Sequence, residues 1–244
     1  MKINNMIITS QFKGIPIVPK DITFPEIGEL RGDFGKEVLA EYNGRVKKDY
    51  GDAEALKVLR YSDNVVKGSN PFATVLVNSI LPSGLRTSTP ADLERALQAG
   101  VDLKGTYTDS ALVLRSENTS NAYLAKSLAD QLRLRGEQKY PVMIPLTELD
   151  LVKDGCYDWD LTFKLKDNAQ VIHAPILDKS GNFSNEDVDL NTGLPKKLEN
   201  GNRILYTRES DLSWLCLLGG LGLGSGDDLA YSLEIGRVRV VKTL

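Results

Sequence analysis

Residues 212–241 carry the pattern that most limits how this chain can fold. Leu215, Leu217, Leu221 and Leu223 all stand at odd positions. In extended backbone such residues point to the same side of a sheet. The even positions among them hold Cys216, Leu218, Gly220, Gly222 and Gly224, which share neither size, polarity nor structural preference. Five glycines fall between 219 and 226. That composition suits a regular strand poorly, because each glycine loses extra backbone entropy and packs nothing. One face is therefore read as fixed by burial and the other as unconstrained by folding. The residue types on the second face share one property: Cys, Leu, Gly, Asp, Tyr and Ile can all be reached from an asparagine codon by changing only its adenines. Lys, Gln, Met and Trp cannot, so Trp214 stands outside this rule.

The remainder of the chain reads as ordinary globular sequence. Its 244 residues are 41% apolar and 26% charged, enough for one elaborated domain with a real core. The net charge of -3 and the absence of long basic runs argue against a large phosphate-binding surface, so no nucleic-acid partner is expected. Cys156 and Cys216 lie far apart, with no Cys/His cluster, which argues against structural zinc and favours two free thiols. The N-terminus is too polar for a signal peptide and no stretch reaches membrane-span length, so the cytosol is the default location.

Local signals divide the chain into a helical first half and a strand-rich second half, an α+β pattern. Short extended pieces are expected at Met6–Thr9 and Ile15–Pro19. Asp52 heads an expected capped helix through Leu59, and residues 71–81 read as a buried helix with Pro71 in its first turn. Thr89-Pro90 opens another, closed by Gly100. Residues 118–135 form the strongest helix signal, with Tyr123, Leu124, Leu128, Leu132 and Leu134 on its apolar face and Gly136 as cap. Strands are expected at 140–145, 159–165 and 170–175, and residues 177–202 read as a long polar surface loop or mobile insertion.

The pattern Leu-Ser-x-Leu-x-Leu-x-x-x-Leu-x-Leu-x-Ser-x-x-x-Leu-Ala-x-Ser-x-x-x-Gly-Arg-Val-x-Val-Val over residues 212–241 resembles the variable region of archaeal, Nanoarchaeota-type variable proteins of diversity-generating retroelements. Similar text occurs upstream in Ile15-Pro16-Ile17-Val18-Pro19, Leu112-Val113-Leu114-Arg115-Ser116-Glu117, Tyr140-Pro141-Val142-Met143-Ile144-Pro145 and Leu205-Tyr206-Thr207-Arg208. Asp211 departs from an expected Gly, and Arg239 from the usual Val. The resemblance implies one C-type lectin-like domain over 1–244, with additional helices and loop insertions, that binds a ligand through exchangeable side chains on a fixed scaffold. It implies a fixed set of Leu212, Leu215, Leu217, Leu221, Leu223, Leu229, Ala230, Gly236, Val238, Val240 and Val241. The exchangeable, ligand-facing set is Cys216, Leu218, Gly219, Gly220, Gly222, Gly224, Gly226, Asp227, Tyr231, Leu233 and Ile235. Trp214 and Asp228 remain open between the two sets. The expected partner is a protein or cell-surface molecule met by a monomer, with no cofactor, no metal and no catalysis.

Plainer readings compete with this one. The leucine alternation alone fits a buried strand pair with a glycine turn. The glycines at 219–226 lack both the Lys-Ser/Thr ending of a phosphate loop and G-x-G-x-x-G spacing. Asp227-Asp228 and Glu186-Asp187-Val188-Asp189 lack calcium-loop spacing. His173, the one histidine, is expected to be semi-buried, and Arg115 to join Glu117 in a strand-edge ion pair. The alternative function is an enzyme acting on a nucleotide or sugar, with a site among Arg115, Glu117, His173 and Asp227.

Overall fold

The computed structural model describes residues 27–116, 122–136, 139–155, 159–208, 210–219 and 221–243. The expected extended pieces near the N-terminus, Glu117, Cys156 and Gly220 lie outside the described residues. Strand β1 (Ile27–Glu29) leads into helix α1 (Gly32–Asp49), which buries Gly35, Val38, Tyr42 and Val46, one per turn. Hairpin β2 (Arg60–Ser62) and β3 (Val65–Lys67) turns at Asp63 and Asn64, both at positive φ, as tight hairpin turns require.

Helix α2 (Pro71–Ile80) is capped by Asn70, whose side chain accepts the Ala73 amide at 2.8 Å, and nearly every α2 residue is buried. After β4 (Leu85–Thr87), helix α3 (Pro90–Gln98) begins with a reciprocal capping box between Thr89 and Asp92 and is followed by Gly100 at φ +82°. Then come β5 (Tyr107–Leu114), α4 (Ala122–Leu134), β6 (Val142–Pro145), β7 (Leu149–Lys153), β8 (Leu161–Leu165) and β9 (Ile172–His173). The chain continues through β10 (Gly181–Phe183), β11 (Val188–Asp189), β12 (Leu194–Pro195), β13 (Arg203–Tyr206), β14 (Leu212–Leu218), β15 (Gly222–Gly226) and β16 (Arg239–Lys242). The class is α+β, with four α-helices among the described residues.

A seven-stranded sheet, ordered β10-β13-β15-β14-β5-β6-β9, organises the molecule. Its strands pair antiparallel except β13 with β15, which run parallel. Each face covers a separate apolar core. Leu112, Leu114 and Leu212 face one that also holds buried residues of α1, α2 and α4. Ala111, Val113, Leu215, Leu217, Leu205 and Leu223 face the other, with Leu93 of α3 and Phe183. The alternation of period two thus divides the strands between two cores. A bulge on β5 breaks it: Leu215 pairs with Ala111, but Cys216 pairs with Asp109, leaving Ser110 as the extra residue. Asp109 and Tyr107 are thereby carried to the Leu112 face. A second sheet, β1-β16-β4, joins the two ends of the described chain, with Ile27 opposite Val241.

Several expectations need correction. Residues 52–59 contain only a single 3-10 turn at Glu54–Leu56, because Asp52 takes φ +64° and cannot cap a helix from there. Helix α1 was not anticipated. Leu134, assigned to the apolar face of α4, is 89% exposed at the helix end. Residues 177–202 are not a loose insertion: three short strands run through them, and Leu177, Phe183, Val188 and Leu194 are buried in the second core. Leu221, assigned inward, is 66% exposed, because Leu221 N–H bonds back to Leu218 O in a tight turn that interrupts the alternation. Arg239, at a position expected to be apolar, is buried but reaches Glu29 at 3.1 Å and the hydroxyls of Thr106 and Thr108.

Candidate functional site

Of the ligand-facing positions expected from sequence, Asp228, Tyr231, Leu233 and Ile235 are exposed, and Leu218 and Asp227 are half-buried. Tyr231 (49%), Leu233 (44%) and Ile235 (50%) alternate along the segment between β15 and β16. With these three side chains exposed, the segment is held by hydrogen bonds to its backbone and to the side chains of Asp228 and Ser232. Leu229 is fully buried and anchors the entry. Ala230 N–H and Tyr231 N–H donate to the side chain and carbonyl of Asp228. The Asn70 amide donates to Ala230 O at 3.2 Å, and Ser69 N–H to Ser232 Oγ at 3.0 Å. Leu233 N–H donates to Tyr107 Oη at 2.9 Å, while the Tyr107 hydroxyl donates to Ser69 O at 3.0 Å. Tyr107 N–H bonds Ile235 O, Arg237 N–H bonds Tyr107 O, and Gly68 N–H bonds Gly236 O. Gly236 lets the chain pass: a Cβ there would lie 2.7 Å from Ser69 N and 2.8 Å from Tyr107 Oη.

Beneath this loop lies a polar cluster that the sequence reading did not single out. Asp109 is fully buried and accepts the Ser69 hydroxyl at 2.6 Å. Burial pushes its carboxyl up to about 7, against the opposing pull of the Ser69 bond. Burial, and then the neighbouring Asp109, raise Tyr107 to about 12, and the same two causes drive the Cys216 thiol upward. The signal was present as a lone acid in an otherwise unbroken buried strand.

The remaining expected positions are corrected by the structure. Cys216 is 1% exposed and faces Gly224 and Asp109 across its strand neighbours. Gly219, Gly222, Gly224 and Gly226 are buried, not solvent-facing. At Gly219 a Cβ would sit 1.7 Å from Leu103 O, and at Gly222, which has φ +139°, 1.9 Å from Ile204 O. Both contacts are with backbone, so close approach of another chain segment requires glycine at each position. Gly226 lies under the Trp214 ring, and Gly224 under Leu218, whose Cδ1 is 3.2 Å from the position of an added Cβ. Trp214 is half-buried and its Nε1–H donates to Asp228 O at 3.2 Å, which ties the start of the loop to the sheet.

Of the residues named for the enzymatic alternative, Arg115 is bound by its own chain. The Arg115 guanidinium donates to Ser210 O, Leu177 O and the hydroxyls of Ser213 and Thr207, and pairs with Asp178 at 3.4 Å. It clasps the β14 entry to the segment after β9. His173 is exposed at the sheet edge, paired to Val142, where a semi-buried residue was expected. Among the described residues no group of three or more His, Cys, Asp or Glu side chains is placed to hold a metal, and no helix is long and apolar enough to cross a membrane. Comparison with protein-family models, curated protein sequences and solved structures gives no match.

Proposed function

We propose that the chain is a binding protein whose ligand-facing side chains are exchanged by a diversity-generating retroelement and displayed on a C-type lectin-like scaffold. The observation that carries the reading is the loop 229–236. Its backbone is bonded by Asn70, Tyr107 and Gly68 and its Ser232 hydroxyl by Ser69 N–H, while Tyr231, Leu233 and Ile235 project outward and their side chains enter none of these bonds. A loop held this way keeps its shape whatever occupies the three outward positions, as a diversified site requires. Substitutions at exposed positions without special geometry usually cost within about 0.5 kcal/mol. The pairing of β1 with β16, which brings the ends of the described chain together, supports the lectin-like closure.

We take Leu218, Asp227, Asp228, Tyr231, Leu233 and Ile235, all exposed or half-buried, as a narrowed exchangeable set, and assign to the scaffold the buried Cys216, Gly219, Gly222, Gly224 and Gly226 together with Trp214, whose Nε1–H bonds Asp228 O. The expected ligand is a protein or cell-surface molecule, and large exposed side chains such as Tyr231 would supply most of the contact energy. Sequencing the encoding locus tests the proposal. A template copy of the 3′ end differing only at adenines, beside a reverse transcriptase gene, supports it, with changes falling at the narrowed set. Sister copies that vary uniformly along the chain would overturn it.

A further inference from the structure

A cavity of about 410 Å³ opens between Arg86 of β4, the start of α3 and the segments that follow β6 and β8. None of its lining residues belongs to the C-terminal loop. Two of its charges cancel internally: Arg86 grips both oxygens of Asp92, at 2.5 and 3.0 Å. Asp92 also accepts the Thr89 hydroxyl and amide. Although burial opposes it, these bonds hold the carboxyl below the usual carboxylate range. Glu148 is engaged by the Gln170 amide at 3.1 Å. The other two charges are cations without an acid. Lys166 Nζ donates only to Thr147 O at 2.6 Å, and the guanidinium of the half-buried Arg95 has neither a hydrogen bond nor an ion pair among the described residues.

Spare neutral groups complete the wall. Asn78 Oδ1 accepts the Thr87 amide and hydroxyl, which leaves its Nδ2 over, and the side-chain amides of Gln170 and Asn191 have no partner among the described residues. Met143 and Ile172 supply an apolar floor. A concave site of this volume, with a few convergent polar groups on an apolar base, has the form of a small-molecule pocket. Two unpaired cations against one carboxylate select a negative ligand, and free amides match hydroxyl groups that both donate and accept. We infer that this cavity binds a small polyhydroxy anion, with Arg95 and Lys166 holding its acid group and Asn78, Gln170 and Asn191 its hydroxyls.

Calorimetric titration of the full chain with gluconate, glucose 6-phosphate and neutral glucose tests the inference. Saturable binding of either anion is expected, with glucose weaker by about tenfold or more, and whichever anion binds identifies carboxylate or phosphate as the acid group. Arg95→Gln should weaken that anion by at least about tenfold, and Gln170→Ala, at an exposed position, by a smaller factor, with unchanged circular dichroism. No saturable binding of either anion, or equal affinity in wild type and both variants, would overturn it.

Discussion

The amide of Leu233 donates to the hydroxyl of Tyr107 at 2.9 Å, and that same hydroxyl donates to Ser69 O at 3.0 Å. A single phenol on the central sheet thus joins the outward loop to the turn before α2. Removing only the oxygen leaves a donor and an acceptor without partners. Tyr107→Phe should therefore destabilise the fold by roughly 1–3 kcal/mol, read from the denaturant midpoint, and raise amide exchange at Leu233. Unchanged exchange at Leu233 would show that the loop is held by its other bonds.

Gly222 marks the opposite kind of position, where a side chain cannot be added. Its φ of +139° and the 1.9 Å approach of Ile204 O to an added Cβ both oppose Gly222→Ala. The substitution should cost roughly 2–4 kcal/mol in chemical denaturation. Gly224→Ala, which meets side chains alone, the movable Leu218 at 3.2 Å and Cys216 Sγ at 3.6 Å, should cost distinctly less. Equal costs would mean that backbone approach is not what keeps Gly222.

Asp109 makes stability depend on pH in a definite direction. Its folded value of about 7 lies above the ordinary value of about 3.9 for an unfolded Asp. The protonated form is favoured by folding, so this contribution is complete below about pH 4 and is lost as pH rises through 7. The difference in unfolding free energy between wild type and Asp109→Asn should therefore shift against wild type between pH 5 and pH 8. A difference that stays constant over that interval would place the carboxylate in a far more polar setting than its full burial indicates.

How far the sequence foretold this structure can be judged residue by residue. Leu215, Leu217 and Leu223 were legible because alternation is a local property of extended chain, and they do share one core. Leu221 was not, because a turn over three residues resets the parity that the reading extended across it. The caps at Thr89 and the proline start of α2 were legible, since capping depends on neighbours a few residues away. Helix α1 was missed although Gly35, Val38, Tyr42 and Val46 keep helical spacing, because the residues between them are strongly polar. The four anchors in 177–202 lie too far apart to give any period. Burial of the interleaved glycines follows from Trp214 folding over Gly226 and from β13 lying beside β15, contacts between segments that no local pattern reports. Tyr231, Leu233 and Ile235 face solvent with Asp228, on a segment bonded to partners more than a hundred residues away.

The account turns on the independence of the loop's shape from its three outward side chains. The direct measurement is equilibrium denaturation of the triple variant Tyr231→Ser, Leu233→Ser, Ile235→Ser beside wild type, with amide exchange followed at Ser69, Leu233 and Gly236. The account predicts one cooperative transition within about 1 kcal/mol of wild type and unaltered protection at those amides. A loss of several kcal/mol, or exchange opening at Leu233 and Gly236, would contradict it.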